Sequence, residues 1–224
     1  MSELFSIQLQ NRQQQGGDGV WLDLPTTTEQ VQVALRQIGI SSDNPQGLFI
    51  SGYFAEEEKR FAISYNMVLA SNVDELNFLA SRLETLSTGE RAELNAALQA
   101  PQSELFSIGR ITDFPENVDY YVHLPDVHGP AQLGDYYLNR SGMVNMPEEW
   151  KGGIDTAQFG RYVAQQEQGA FTQYGYLVKS GDEWQKVYEG QPVPEEYRVL
   201  SFPVPEVMRD AANIPPPVQP ETEP

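Results

Sequence analysis

The sequence contains no cysteine and only two histidines, His123 and His128. The missing cysteines exclude disulfides, thiolate metal sites and a cysteine nucleophile. The two histidines are five positions apart with Pro125 between them, which does not suit a metal-binding pair on one helix. The sequence also lacks the Gly-rich phosphate-binding motifs and the EF-hand spacing. We therefore expect no cofactor and no metal, and we expect that the protein is not an enzyme.

Long apolar runs are missing as well, so the sequence predicts neither a membrane span nor a signal peptide. Basic residues are scarce: Lys and Arg number 14 against 32 Asp and Glu, for a net charge of −18. Such an imbalance repels nucleic acid and anionic membranes and favours encounter with basic proteins. We expect a soluble, cytoplasmic protein that binds no nucleic acid and no membrane.

Carboxylates are densest between Glu56 and Asp126, where thirteen acids stand against five bases. They do not form one solvated run, because apolar residues at helical spacing lie between them, for example Leu76, Leu79 and Leu83. A folded frame that holds carboxylates outward can present a fixed array of negative charge. Duplex DNA carries one charge per ~1.7 Å of its axis, so such an array can imitate DNA.

Capping signals locate the helices. The S/T-x-x-E spacing at Thr26 and Glu29 predicts one helix that ends near Gly39, and Ser87 with Glu90 predicts another that ends near Ala100. Further helices are predicted at 71–86, 129–142 and 156–168. Strands are predicted at 4–9, 20–24, 48–54, 61–69, 120–124, 171–178, 184–188 and 197–202.

These elements predict an α+β fold divided into three small α/β or helical domains, at residues 1–70, 71–126 and 127–204. The middle domain is expected to be the acidic helical one. After Pro203 the chain is rich in proline and has no series of core residues. Residues 205–224 are therefore expected to form a disordered tail.

Several segments, in order along residues 4–203, resemble the ArdA-type antirestriction proteins. They are 19–29 (GVWLDLPTTTE), 38–40 (IGI), 72–84 (NVDELNFLASRLE), 133–138 (LGDYYL), 146–149 (MPEE), 154–155 (ID), 159–161 (FGR) and 194–199 (PEEYRV). The resemblance implies an elongated homodimer that mimics DNA and fills the DNA groove of type I restriction–modification enzymes. It implies no cofactor, and it implies that the protein serves a mobile genetic element. The strand at 48–54 departs from the family, whose members often carry acids there, because Gly52 and Ala55 lack carboxylates.

The residues expected to form the DNA-mimicking acidic surface are Glu56, Glu57, Glu58, Asp74, Glu75, Glu84, Glu90, Glu93, Asp113, Glu116, Asp119, Asp126, Asp135, Glu148, Glu149 and Asp155. We call this set the acidic surface. An aromatic set is a candidate dimer interface, with core packing as the alternative role: Tyr136, Tyr137, Phe159 and Tyr162.

Two other functions fit the same composition. The protein could mimic DNA toward another defence nuclease or DNA-binding protein, such as a CRISPR effector. It could instead be an acidic scaffold that binds a basic protein through a small patch and the Pro-rich tail. Deleting residues 205–224 would separate the scaffold from both DNA mimics, which should survive the loss.

Overall fold

The computed structural model describes residues 3–14, 17–57, 60–101 and 103–200, and shows a mixed α+β architecture. Its first sheet is antiparallel, with strand order β2-β1-β3. The strands are β1 (Phe5–Asn11), β2 (Val20–Leu24) and β3 (Leu48–Phe54). The bounds predicted for β2 and β3 are confirmed. A β-bulge between Gln8 and Leu9 shifts the register of β1 against β3.

Helix α1 (Thr28–Gln37) follows the first hairpin, one residue later than the capping pattern predicted. Its capping box uses Thr27 and Gln30 rather than Thr26 and Glu29. Thr26 is buried, and its backbone N–H donates to Asn77 Oδ1 at 2.7 Å. Because Thr26 is held by this tertiary contact, the next threonine takes the capping position.

The strand predicted at 61–69 is wrong. Phe61 and Ile63 are buried, which explains the alternation, but the Ala62 N–H donates to Asn95 Oδ1 rather than to a neighbouring strand. The chain then turns into the short helix α2 (Tyr65–Leu69). The Asn95 side chain therefore accepts the backbone hydrogen bond that a neighbouring strand would otherwise accept.

Three helices follow: α3 (Val73–Glu84), α4 (Thr88–Gln99) and α5 (Ile108–Thr112). Helices α3 and α4 begin with capping boxes, at Asn72 with Glu75 and at Ser87 with Glu90. The second box is the one that the sequence predicted. Each box satisfies backbone N–H groups that the first helical turn leaves unpaired.

The second sheet is also antiparallel, with order β4-β6-β5. Its strands are β4 (Tyr121–Leu124), β5 (Ala170–Thr172) and β6 (Gly175–Lys179). The strand predicted at 171–178 is instead a hairpin, because Gly175 has a φ of 118° that permits the turn. Residues 184–188 form no strand, and 195–197 form a 3₁₀ turn, so the strand predicted from 197 is also wrong in its described part.

The remaining helices are α6 (Pro130–Asp135), which continues as π-helix through Tyr136–Arg140, then α7 (Glu148–Lys151) and α8 (Thr156–Glu167). Helices α6 and α8 cross at glycines. A Cβ at Gly134 would lie 1.9 Å from the Thr156 carbonyl oxygen, and one at Gly160 would lie 1.8 Å from the Pro130 carbonyl oxygen. Only glycine permits this crossing, because any side chain would collide with backbone atoms.

The main hydrophobic core contains residues from Leu4 to Val199 and joins the first sheet to helices α1 to α5. A second, smaller cluster of Val127, Leu133 and Tyr176 lies under α6 and α8. The three-domain division and the elongated shape stay predictions. Within the described residues no helix is long and apolar enough to cross a membrane. The tail at 205–224, which the sequence predicts to be disordered, lies outside the described residues.

Candidate functional site: the acidic surface

The structure sorts the acidic surface by exposure. The exposed members are Glu56, Glu57, Glu116, Asp119, Asp126, Glu148, Glu149 and Asp155. The half-buried members are Asp74, Glu75, Glu84, Glu90, Glu93 and Asp135. Asp113 is buried, and Glu58 lies outside the described residues. Half of the predicted set is therefore exposed to solvent.

Asp113 has no exposed area, so its assignment to the acidic surface is wrong. Its carboxylate accepts backbone N–H bonds from Val187 at 3.3 Å, Tyr188 at 2.7 Å and Glu189 at 3.2 Å. A carboxylate with three amide donors is a strong structural acceptor. Asp113 therefore fixes the 187–189 segment onto the end of α5 and leaves no charge for a partner.

Asp74 also serves the fold. One carboxylate oxygen accepts the N–H groups of Val199 and Leu200, at 2.7 and 2.8 Å. Burial raises the pKa of Asp74, while the two amides and Arg198 oppose that rise. The residue ties the C-terminal end of the described chain to the first turn of α3.

Three further acids cap helices. Glu75 and Glu90 complete the capping boxes of α3 and α4, and Asp155 accepts the Gln158 N–H at the start of α8, at 3.0 Å. The side-chain hydrogen bond with Ser87 is the largest cause that lowers the pKa of Glu90. Hydrogen bonds with the backbone position these three carboxylates and stabilise the first turns of their helices.

Glu93 lies one turn after Glu90 on α4 and differs from it. Its Oε1 atom is buried and has no hydrogen-bond partner in the described structure. Burial is the main cause that raises the pKa of Glu93 to about 8, and the charges of Glu90 and Asp119 raise it further. Glu93 therefore adds little negative charge at neutral pH, although its spacing from Glu90 suits a charged array.

Ion pairs neutralise another part of the set. Glu116 pairs with Arg82, Asp135 pairs with Arg140 at 2.7 Å, and Glu148 pairs with Lys151 at 2.6 Å. Hydrogen bonding from Asn139 and then from Arg140 lowers the pKa of Asp135. In each of these three pairs the nearby cation reduces the field that the carboxylate projects.

Four exposed members have no side-chain hydrogen bond or ion pair within the described parts of the chain: Glu57, Asp119, Asp126 and Glu149. Asp119 lies in a 3₁₀ turn before β4, and Asp126 lies two residues after the end of that strand. These four are the best candidates for direct contact with a cationic partner, because nothing in the described structure competes for their carboxylates.

Sequence reasoning missed several exposed acids outside the set: Glu3, Asp18, Asp23, Glu29, Asp43, Asp182, Glu183, Glu195 and Glu196. A local signal existed for some of them. Asp18 lies between two glycines, and Glu195 follows Pro194, which are turn positions that favour exposure. Negative charge therefore extends beyond the central stretch.

The aromatic candidates divide between packing and exposure. Tyr136 and Tyr137 pack against the second cluster, and the Tyr137 hydroxyl donates to Glu167, which also accepts the Tyr176 hydroxyl at 2.9 Å. Phe159 is half-buried. Tyr162 is 60% exposed on α8. Of the four, Tyr162 is the one whose ring is most available to a second copy of the chain.

A cavity of about 780 Å³ lies between α2, α3, α5 and the 188–193 segment. Its walls include Phe78 and Phe106, and its titratable carboxylates are Glu75 and Glu189. No histidine, lysine or arginine lines it, and its Ser71 hydroxyl donates to the Met67 carbonyl at 2.8 Å. Among the described residues no group of His, Asp and Glu side chains could hold a metal ion.

The described structure thus defines an acidic α+β protein that exposes many carboxylates. The family model for the antirestriction protein ArdA matches residues 17–178, so the chain belongs to the ArdA antirestriction family. No curated protein matches the chain. Family membership implies an antirestriction function, which is that of an inhibitor protein.

Proposed function

We propose that this protein mimics DNA and occupies the DNA-binding groove of a type I restriction–modification enzyme, and that it does so as a homodimer. The observation that carries the proposal is a set of exposed carboxylates that have no side-chain partner among the described residues: Glu57, Asp119, Asp126 and Glu149. An enzyme that binds duplex DNA lines its groove with Lys and Arg, which neutralise phosphates. Fixed carboxylates can engage the same cations.

The net charge of −18 supports the same function kinetically. Complementary fields between an acidic protein and a basic groove raise the association rate, and salt weakens them. The helix-capping acids contribute without further ordering, because the backbone already holds Glu90 and Asp155 in place. An inhibitor with such a preset array loses little conformational entropy on binding.

The first test is DNA cleavage and methylation by a purified type I enzyme, titrated with this protein at two salt concentrations. Competitive mimicry predicts inhibition that excess duplex DNA relieves and that added salt weakens. No inhibition at stoichiometric excess, across several type I enzymes, would move the function to another defence nuclease or DNA-binding protein.

A charge-matched pair of variants sharpens this test. Neutralising Glu57, Asp119, Asp126 and Glu149 together should weaken inhibition about tenfold or more, since each cation contact is worth roughly 0.2–1 kcal/mol. The control neutralises Asp18, Asp43, Glu183 and Glu195, which removes the same formal charge from other exposed positions. An equal loss of inhibition in both variants would show that inhibition depends on total charge. That result would contradict the assignment of these four carboxylates as the contact surface.

A further inference from the structure

The outer face of the first sheet carries two rows of side chains that cross all three strands. In one row Ser6 of β1 pairs with Asp23 of β2 and with Phe54 of β3. In the next row Gln8 pairs with Trp21 and with Gly52. Residues two apart in a strand point to the same side. Trp21, Asp23 and Phe54 therefore share one face.

Two aromatic rings on this face are open to solvent. Trp21 is 50% exposed and Phe54 is 53% exposed, and their ring centroids lie 6.4 Å apart in an edge-to-face arrangement. A Cβ at Gly52 would lie 3.0 Å from Trp21 Cη2. The glycine therefore lets the indole lie against the sheet and reach from β2 over to β3. Paired exposed aromatics of this kind are typical of contact surfaces.

Carboxylates border the two rings. The Ser6 hydroxyl donates its hydrogen to Asp23 Oδ1 at 2.8 Å, and Glu3 Oε1 lies 3.3 Å from the same hydroxyl, so both acids lie beside the Phe54 row. Glu57 lies three residues after Phe54 along the chain and is exposed. An exposed indole face bordered by negative charge is the environment that a guanidinium prefers, because it can stack on the ring and pair with a carboxylate.

The same sheet already holds one such contact within the chain. The Arg12 guanidinium lies over the Phe49 ring of β3, 5.1 Å from its centroid. No comparable cation covers Trp21 or Phe54 in the described structure. In the described structure the outer face thus offers open ring surface on Trp21 and Phe54 beside the exposed carboxylates of Asp23 and Glu57.

We propose that this face binds arginine side chains on the basic surface of the target protein. The inference rests on the proposed function, because a DNA-binding target supplies such arginines, and it deepens that function. Duplex DNA stacks its bases inside the helix, whereas Trp21 and Phe54 are open from the side. The aromatic pair therefore gives the inhibitor an anchor that DNA itself does not offer to the same arginines.

The test uses a hexa-arginine peptide as the probe, at about 150 mM NaCl to suppress contacts made by charge alone. We expect the indole N–H resonance of Trp21 to shift on titration, more than those of Trp150 and Trp184. The variant W21A/F54A should bind the peptide about fivefold more weakly, the loss expected for exposed cation–π contacts. The control variant F106A removes an aromatic ring that lies away from this face and is 64% exposed. It should bind the peptide with wild-type affinity.

Two outcomes would overturn the inference: an unmoved Trp21 resonance, or a W21A/F54A variant that retains wild-type affinity. The variant D23N keeps both aromatic rings and should bind the peptide more weakly than wild type, by a smaller factor than W21A/F54A. It tests the same face without the loss of two large side chains, which could disturb folding. If wild type inhibits restriction but Trp21 ignores the peptide, this inference fails and the proposed function stands. If the peptide maps to Trp21 but no type I enzyme is inhibited, the proposed function fails and the arginine-binding face stands.

Discussion

At the scale of single residues, neighbouring carboxylates of one helix have opposite electrostatic character. Hydrogen bonding with Ser87 lowers the pKa of Glu90, whereas burial raises that of Glu93 to about 8. A raised carboxyl pKa means that the folded state binds its proton more tightly than the unfolded state does. Glu93 therefore favours the folded state at low pH, and this contribution is lost as the pH rises from about 4.5 through about 8.

Glu93→Gln should remove this pH dependence. At about pH 5 the variant and wild type should have nearly equal free energies of unfolding, and at about pH 9 the variant should be more stable by roughly 1–3 kcal/mol. Urea unfolding at both pH values measures the difference. Glu90→Gln, one turn away, should instead lose stability at about pH 5, because it lowers the charge of the helix cap; at high pH it also removes a charge that repels Glu93. A Glu93→Gln variant without added stability at high pH would contradict the buried, unpartnered carboxyl.

Asp113→Asn should destabilise the protein by roughly 2–4 kcal/mol. The amide replaces an anion that accepts three backbone N–H bonds with a group that has one acceptor oxygen. Thermal unfolding should show a markedly lower Tm than that of Asp119→Asn, which changes an exposed carboxylate with no described partner. Inhibition per folded molecule should stay the same, and a specific loss of inhibition would return Asp113 to the contact surface.

At the scale of elements, glycine decides how α6 meets α8. Gly160→Ala should cost about 3 kcal/mol or more, because its Cβ would overlap the Pro130 carbonyl oxygen and two helices would have to separate. Gly89→Ala is the control, since a Cβ there meets nothing within 4 Å, and it should stabilise by up to about 1 kcal/mol. Chemical unfolding compares the two. Similar stabilities would contradict the close crossing.

The sequence predicts an element correctly when the contacts that set it are between residues close together along the chain. The Ser87–Glu90 capping box and the bounds of β2 and β3 are set by near neighbours, and they were predicted correctly. The Ala62 N–H bond that replaces strand pairing and the burial of Asp113 depend on partners far along the chain, Asn95 for the first and the 187–189 amides for the second. No local pattern contains that information, so a strand and a surface acid were predicted instead.

At the scale of the whole molecule, a net charge of −18 makes the folded state repel itself. Raising NaCl from about 10 mM to about 150 mM shortens the screening length from roughly 30 Å to 8 Å. We expect Tm to rise by a few degrees over this range while inhibition of the target weakens. Calorimetry and the inhibition titration in the same buffers would show these opposite trends. A Tm that falls with salt would mean that favourable ion pairs, such as that of Glu104 with Lys179, outweigh the repulsion.

The crossing of α6 and α8 also limits how the sequence can change by mutation. The atoms that oppose Gly134 and Gly160 are backbone carbonyls, which every amino acid carries. A second substitution in the facing helix therefore cannot make room for a new side chain, as it often can when two side chains collide. A genetic screen for suppressors of Gly160→Ala should recover revertants to glycine or stabilising changes far away, and none that act by shrinking a direct neighbour.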